Sequence, residues 1–433
     1  MNSERNFLKT ALNQDPMSSE TILSFETLQF RKSQETLQVN LLKIFKLHIP
    51  LAELEVIARF EIVDSHSIRF FDVKEKKARI QFMGLFDKYL PTLVNTISKQ
   101  QATYVHSGSG IPLIGSVAFG IVYRNSSIIE VKPVTSCNLS CVYCSVKEGK
   151  NSGKRDIVVE MEYLLEELEK VLAFVEEPVE IHIGVQGEPF LYADMVELVE
   201  RLQQMEQVHT ISTDTNLTLV TRAMVDRLAL CDKFRVNISL DSMDLDSARR
   251  IADASNYNLQ YVLDMIRYIA ASDLDFLIAP VYTPGFNDDQ LGPIVEFVKS
   301  LPIKEREDGK KQLPKVCIQN YLPYKSGRRP VKESASWEKF YAMIEGLEKE
   351  HDIQLKINAD DFAIKSLKEL PKPFAMDDEI RATLVARDRF PNTCLAAAGG
   401  RVISVPQCKF IPGKKVKLKI IRDKHNIFTG KLL

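Results

Sequence analysis

The sequence is short of several things, and each shortage closes off a class of protein. No stretch approaches the roughly 20 consecutive apolar residues of a membrane helix; the best, residues 111–123, is interrupted by Gly115 and Gly120. The opening MNSERNFLKTALNQ mixes acids with bases and lacks the apolar core of a signal peptide, so a cytoplasmic protein with no membrane partner is expected. Cysteine is sparse and odd in number, seven in 433 residues, with three of them in one loop. That fits a reducing compartment and not a disulfide framework. Net charge is almost absent at −1, but it is unevenly spread. Residues 370–433 hold 13 Lys and Arg against 5 Asp and Glu, a local +8, so the first 369 residues carry −9. One end of the chain is basic. At 45 % hydrophobic and 27 % charged, the chain has material for two or three domains with cores of their own.

The chain is organised around Thr135-Ser136-Cys137-Asn138-Leu139-Ser140-Cys141-Val142-Tyr143-Cys144-Ser145. A [4Fe–4S] cluster ordinarily takes four thiolates. Cys137, Cys141 and Cys144 supply three and leave the fourth iron open to a small bidentate molecule. Zinc is the alternative, but a zinc ribbon wants a second pair of Cys or His at similar spacing, and Cys231, Cys317, Cys394 and Cys408 stand alone. Whether those four build a second metal site stays open. The CxxxCxxC spacing, with the aromatic Tyr143 before the last cysteine, resembles the radical S-adenosylmethionine (SAM) superfamily. The resemblance implies a [4Fe–4S] cluster on the three cysteines and SAM as cofactor, with an electron donor such as ferredoxin or flavodoxin.

Residues 1–50 carry apolar positions at helix-like intervals up to Pro50, and 55–60 and 67–71 look like strands, the second hairpinned with 78–82. A small α+β extension is therefore expected over 1–110, of unassigned purpose. After Gly108-Ser109-Gly110-Ile111-Pro112 the pattern becomes repetitive. Strands are expected at 128–134, 180–187, 209–215, 234–241, 276–283 and 316–322, with helices at 161–177, 192–205, 221–230, 259–271, 288–301 and 335–351. Six βα units predict a partial (βα)6 barrel over 111–369. Such barrels carry their reactive groups at the C-terminal ends of the strands, where the cysteine loop falls.

The second strand ends in Gly184-Val185-Gln186-Gly187-Glu188-Pro189, two glycines that admit a close ligand followed by an anion and a turn. The resemblance carries contact with the methionyl amino group to Gly187 and Glu188. Ser212-Thr213-Asp214-Thr215-Asn216 is polar where a buried strand should be apolar, and Asn237, Ser239 and Asp241 share one face of the next strand. Similar family positions bind the ribose and the methionyl carboxylate, which selects Asn216 and Ser239; the adenine edge is expected at the backbone of Val281, and Tyr143 joins the cofactor wall. The loop Gln319 to Pro330, with Tyr321, Tyr324, Lys325, Arg328 and Arg329, followed by Lys332, interleaves aromatics with cations suited to phosphate and base. This loop and the run 111–123 resemble a group of archaeal radical SAM proteins described only as predicted iron–sulfur oxidoreductases, a likeness that covers the chain from Ile111 onward and implies no defined substrate.

Strands are expected at 379–387, 392–398, 401–406, 414–422 and 426–433, an OB-like small barrel over 370–433. Lys415, Lys417 and Lys419 alternate with Val416, Leu418 and Ile420, so one face is core and the other a lysine row that would track a phosphate backbone. With Phe374, Gly413 and the Leu432 ending, the segment resembles the TRAM domain attached to tRNA- and rRNA-modifying enzymes. The reading is an enzyme that cleaves SAM to a 5′-deoxyadenosyl radical and modifies RNA, with tRNA expected and with Lys325, Arg328, Arg329, Lys415, Lys417 and Lys419 as RNA-binding residues. The alternatives are radical modification of a protein, peptide or cofactor precursor, and a non-catalytic iron–sulfur RNA-binding protein.

Overall fold

The computed structural model describes residues 20–150, 152–303 and 314–433. The chain divides into two compact units, Met1–Tyr104 with Gly153–Asp156, and Val105–Ser152 with Ile157–Leu433.

In the first unit the helix expected over 1–50 is not found among the described residues. Residues 1–19 of that expectation lie outside the described residues, and the rest form strands Thr21–Ser24, Leu28–Lys32, Thr36–Leu41 and Phe45–Pro50. Leu37 and Leu41 satisfy a four-residue spacing, but Val39 between them is buried too, and Phe45, Leu47 and Ile49 repeat that two-residue period. The period of two decides the outcome because Leu42 and Lys43 take positive φ and turn these two strands into a hairpin. The strands expected at 55–60 and 78–82 also give way, for Leu51–Glu55 and Glu75–Tyr89 are helices. Ala78, Phe82 and Phe86, four residues apart, form the buried stripe of the longer helix. Phe82 packs against Phe25, Phe30 and Phe70 with ring centroids 5.3, 5.9 and 6.4 Å away. The strand expected at 67–71 is present as Ser67–Phe70 and pairs with Thr21–Ser24 and Phe60–Ile62.

The second unit is built on a six-stranded sheet in the order Asp275–Ile278, Phe234–Ile238, Val208–Thr215, Val179–Ile183, Ile128–Lys132, Gly120–Tyr123. The first five run parallel and the last is antiparallel. Helices Met161–Val175, Met195–Gln203, Arg222–Leu228, Leu259–Ala270, Leu291–Lys299 and Trp337–His351 stand where helical periodicity predicts them. Met161–Val175 shows why, burying Leu164, Leu165, Leu168, Val171, Leu172 and Val175 at alternating intervals. The expected fifth strand breaks at Pro280, which has no N–H to give the ladder. Past it the expected sixth strand is present as a parallel bridge from Ile278 to Val316 and the pairing of Val281–Tyr282 with Gln319–Asn320, and Gln319 N–H reaches the Pro280 carbonyl at 2.8 Å.

Residues 379–432 close into a five-stranded barrel of Glu379–Arg387, Thr393–Ala398, Arg401–Pro406, Lys415–Arg422 and Thr429–Leu432. The first strand pairs with both the second and the fourth, and the third runs parallel to the fifth. The run 111–123 turns out to dock this barrel. Gly115 has φ 131°, and a Cβ there would overlap the backbone carbonyl of Val402. Only glycine lets the two backbones approach closely enough for Val402 N–H to reach the Ile114 carbonyl at 2.8 Å and Phe428 N–H the Gly115 carbonyl at 3.0 Å.

Candidate functional site

The cysteine loop leaves the sheet after Ile128–Lys132 and is held in place by its backbone. Ser140 and Val142 donate to the carbonyls of Ala252 and Ile251 at 3.1 and 2.9 Å. Those carbonyls end the helix Leu245–Ala252, where no intrahelical N–H remains for them. This helix was not expected from the sequence, although Asp244 caps it by accepting from Ser247 N–H at 2.8 Å, and Arg249 and Arg250 occupy its last turn. Gly187, at φ 75°, lies so close that a Cβ would overlap the Ser136 carbonyl. Glu188 N–H donates to that same carbonyl at 2.7 Å. The Gly-Glu-Pro turn is thus pinned to the residue before Cys137.

Cys137, Cys141 and Cys144 line one solvent-open cavity of about 1300 Å³ of empty space, and Tyr143, Gly187, Glu188, Asn216, Ser239 and Val281 line it with them. Burial pushes the Cys137 thiol well up, helped by Cys141 and Glu188, and pushes Cys141 up, helped by Asp241 and Cys144. Such thiols ionise only when a cation pays for the buried charge, and three soft sulfur donors on one wall are the donor set of an iron–sulfur cluster. The residues fit that group.

Several of the expected cofactor contacts are already engaged within the protein. Tyr143 Oη donates to Asp241 Oδ2 at 2.6 Å, and Asp241 Oδ1 accepts the Val281 N–H at 2.9 Å. Burial raises Asp241 to about 6 against those two donors. Glu188 Oε1 accepts from Thr215 Oγ1 at 2.7 Å and Phe190 N–H at 3.1 Å, and Oε2 from Asn216 N–H at 2.9 Å. Burial still lifts this carboxyl to about 7, and Oε2 keeps lone-pair capacity for one more donor. The Asn216 side chain donates to Asn138 Oδ1 at 2.9 Å and accepts from Thr218.

The cations selected for RNA divide into separate groups. Arg328 turns inward: its N–H donates to the Cys144 carbonyl at 2.9 Å, Nη1 to the Cys141 carbonyl at 3.3 Å and Nη2 to the Glu148 carbonyl at 2.7 Å, so it clamps the cysteine loop. Lys325 and Arg329 are exposed. Lys415, Lys417 and Lys419 do share the outer face of their strand, but Lys417 pairs with Glu379 at 2.6 Å and Lys419 with Asp377 at 2.8 Å. The antiparallel register explains this, since it sets Glu379 opposite Lys419 and brings the acidic start of the first strand beside the lysines. The sequence reading missed Glu148 and Arg389, which meet at 2.6 Å with both side chains 2 % exposed. They are too far apart in the chain for any local pattern to join them.

A family model described as "Radical SAM superfamily" matches residues 131–298. An uncharacterised protein of Methanocaldococcus jannaschii is 31 % identical over 418 residues, covering 92 % of this chain and 95 % of that protein. A GTP 3′,8-cyclase of Lactiplantibacillus plantarum is 33 % identical over 187 residues, and the match spans 42 % of this chain and about half, 54 %, of that one. Among solved structures, Streptococcus suis SuiB bound to S-adenosylmethionine aligns over 77 % of this chain and 72 % of that one at 14 % identity, with a TM-score of 0.41. With a relative matched along nearly its whole length and the family model spanning the strands that carry the cysteine loop and its cavity, the chain belongs to the radical SAM superfamily, whose enzymes use a [4Fe–4S] cluster, S-adenosylmethionine and an electron donor.

Proposed function

We propose that this enzyme modifies RNA, with tRNA as the expected substrate, and that Cys137, Cys141 and Cys144 hold its cluster. Held there and reduced by ferredoxin or flavodoxin, a cluster would supply the electron for cleavage of SAM, giving a carbon radical able to abstract hydrogen from an unactivated carbon. The chain's own residues do the positioning. The spare lone pair of Glu188 Oε2 orients an ammonium group beside Gly187, and Asn216 and Ser239 present polar groups along the same wall. Tyr143 is fixed by Asp241, which also holds the Val281 backbone, so hydrogen bonds join the two sides of the cavity mouth. Arg328 keeps the three thiols in register by holding the carbonyls of Cys141 and Cys144.

The observation that carries the RNA reading is the buried Arg389–Glu148 pair. Arg389 belongs to the loop between the first two strands of the basic barrel, and Glu148 lines the cavity. A loop of the basic barrel is therefore tied to one residue of the cavity wall, which supports a route for a polynucleotide from the barrel to the cluster, with Lys325 and Arg329 exposed on the loop beside the opening. The pairing of Lys417 with Glu379 and of Lys419 with Asp377 favours the alternative, a protein, peptide or cofactor-precursor substrate, because it partly neutralises the lysine row. Salt-dependent tRNA binding decides. Exposed pairs are worth about 0–1 kcal/mol, so phosphates can displace them. Wild-type affinity should fall steeply with salt as counterions are released. Lys415→Glu, Lys417→Glu and Lys419→Glu together should weaken binding to unrelated RNAs alike while substrate-free SAM cleavage is unchanged. No salt-dependent binding in wild type would sink the RNA reading.

A further inference from the structure

The strands of a parallel sheet, covered on both faces, are normally a near-continuous run of apolar residues. Here three adjacent strands place six polar side chains on their inward face in matched register. His182 lies opposite Ser212, Ser212 opposite Arg235, and Asp214 opposite Asn237. Their side chains close a ring. Asp214 Oδ2 lies 3.4 Å from His182 Nε2, and His182 Nδ1 lies 2.8 Å from Ser212 Oγ. Ser212 Oγ donates to Glu180 Oε1 at 2.5 Å, and the same oxygen accepts from Arg235 Nη2 at 3.0 Å. Arg235 Nε donates to Asn237 Oδ1 at 3.2 Å, and Asn237 Nδ2 closes the circle on Asp214 Oδ1 at 2.9 Å.

The ring is anchored at the protein end and open at one point. Glu180 and Arg235 are nearly enclosed, with side chains 12 % and 9 % exposed, whereas Asp214 is 47 % exposed because it faces the cavity. Asp214 and Asn237 line the same cavity as the three cysteines. Each Asp214 oxygen has one neighbour in the ring and keeps a lone pair, so the carboxylate presents two side-by-side acceptors. A second, independent feature faces the same space. Asn320 lines the cavity, its amide nitrogen is fixed on the Ala335 carbonyl at 2.8 Å, and its Oδ1 is buried with no hydrogen-bond partner among the described residues. An acceptor left so is costly unless a ligand fills it.

We infer that Asp214 seats the substrate, and that the group it takes is a neutral planar edge with two adjacent N–H donors, which in RNA is the N1–H and 2-amino edge of a guanine. This rests on the RNA reading. A carboxylate with two acceptors matches such an edge in bidentate fashion, whereas adenine, cytosine and uracil cannot offer two adjacent donors. The surrounding charges favour a neutral edge over a guanidinium. Burial works against protonated His182, but Asp214, Glu180 and Glu130 outweigh it and hold its pKa above the ordinary value, so the charged form of His182 is favoured beside Asp214. Arg235 stands behind, and Glu130 is itself occupied by Lys132 at 2.7 Å and Arg124 at 2.9 Å. A further full cation would crowd His182 and Arg235.

The test uses full-length protein with its cluster reconstituted anaerobically, in the presence of SAM and without reductant. Four dye-labelled heptanucleotide RNAs differ only in a central guanine, hypoxanthine, adenine or cytosine, and their affinities are read by fluorescence anisotropy. The guanine RNA should bind about tenfold more tightly than the hypoxanthine RNA, which lacks the amino group, because a good bidentate pair discriminates by roughly 5- to 150-fold. Asp214→Asn, which keeps the shape but replaces one acceptor with a donor, should erase that preference without changing affinity for the cytosine RNA. Equal wild-type affinity for the guanine and hypoxanthine RNAs overturns the inference and needs no variant. If all four bind equally and tightly, the RNA reading stands and only the guanine seat falls. If neither these RNAs nor a tRNA pool bind, while an arginine peptide binds more tightly than its lysine analogue, the seat belongs to a guanidinium and both readings fail.

Discussion

The Glu148–Arg389 pair makes a quantitative claim about how the basic barrel is fastened. Both side chains are 2 % exposed and their closest atoms are 2.6 Å apart. Glu148 Oε1 also accepts from Gln186 Nε2 at 2.6 Å. Glu148→Met leaves the Arg389 guanidinium buried beside an uncharged thioether, and breaking a buried pair from one side costs about 3–5 kcal/mol. Read as a urea midpoint with a slope of about 3 kcal/mol per molar, that is a loss of roughly 1–2 M in the unfolding of the second unit. Arg389→Met should cost a similar amount, since it takes the guanidinium away from a buried carboxylate. The double variant Glu148→Met, Arg389→Met leaves no buried charge and should regain most of the loss, less about 1 kcal/mol for the unpartnered Gln186. The double-mutant cycle should therefore return a coupling of at least about 2 kcal/mol. Additive single effects, with coupling under about 0.5 kcal/mol, would show that the pair does not fasten the barrel to the cavity wall.

Two further outcomes follow from the site. Anaerobically reconstituted protein should carry about four irons per chain at this site, and a change of Cys137, Cys141 or Cys144 to Ala should remove them; a triple Ala variant with full iron content and SAM cleavage would refute the assignment. For the protein without its cluster, Glu188 has a folded pKa of about 7 against an ordinary 4.5. The folded state therefore holds the proton more tightly, and stability should fall as pH rises from about 4.5 to 7, by roughly 3 kcal/mol at most. Glu188→Gln should flatten that slope in a urea titration series, and an unchanged slope would remove Glu188 as its source.

The features legible in the sequence were those written in local periodicity. The cysteine spacing, the six expected helices of the second unit and the five strands of the small barrel all depend on intervals of two, three or four residues, and all stand close to where those intervals put them. Residues 20–50 failed because leucines at 37 and 41 satisfy both periods, and only the left-handed turn at Leu42 and Lys43 resolves the ambiguity. The fifth and sixth strands are interrupted for a different reason: Pro280 lacks an N–H for the ladder between them, although its carbonyl still accepts from Gln319 N–H at 2.8 Å. Contacts between distant segments were out of reach altogether. Nothing around Gly115 announces Val402, and nothing around Arg328 announces that its guanidinium serves the cysteine loop and not a phosphate.

These departures from local rules are not scattered. Local sequence preferences and the native fold usually agree, and where they conflict the conflict tends to mark function. In this chain the polar strand residues from Glu180 to Asn237, the orphaned Asn320 oxygen and the buried Arg389–Glu148 pair all break the expectation for a buried interior, and Asp214, Asn237, Asn320 and Glu148 line the same cavity. A fold held by its core alone would gain stability from apolar replacements at these places, because a buried polar network at best repays its own desolvation. The ring's register makes the point sharper. Its members pair strand by strand, so each buried donor and acceptor is satisfied inside the protein except where Asp214 opens to the cavity. A network built only to be tolerated would satisfy that end as well; one built to receive a ligand leaves it open on the side from which the ligand comes.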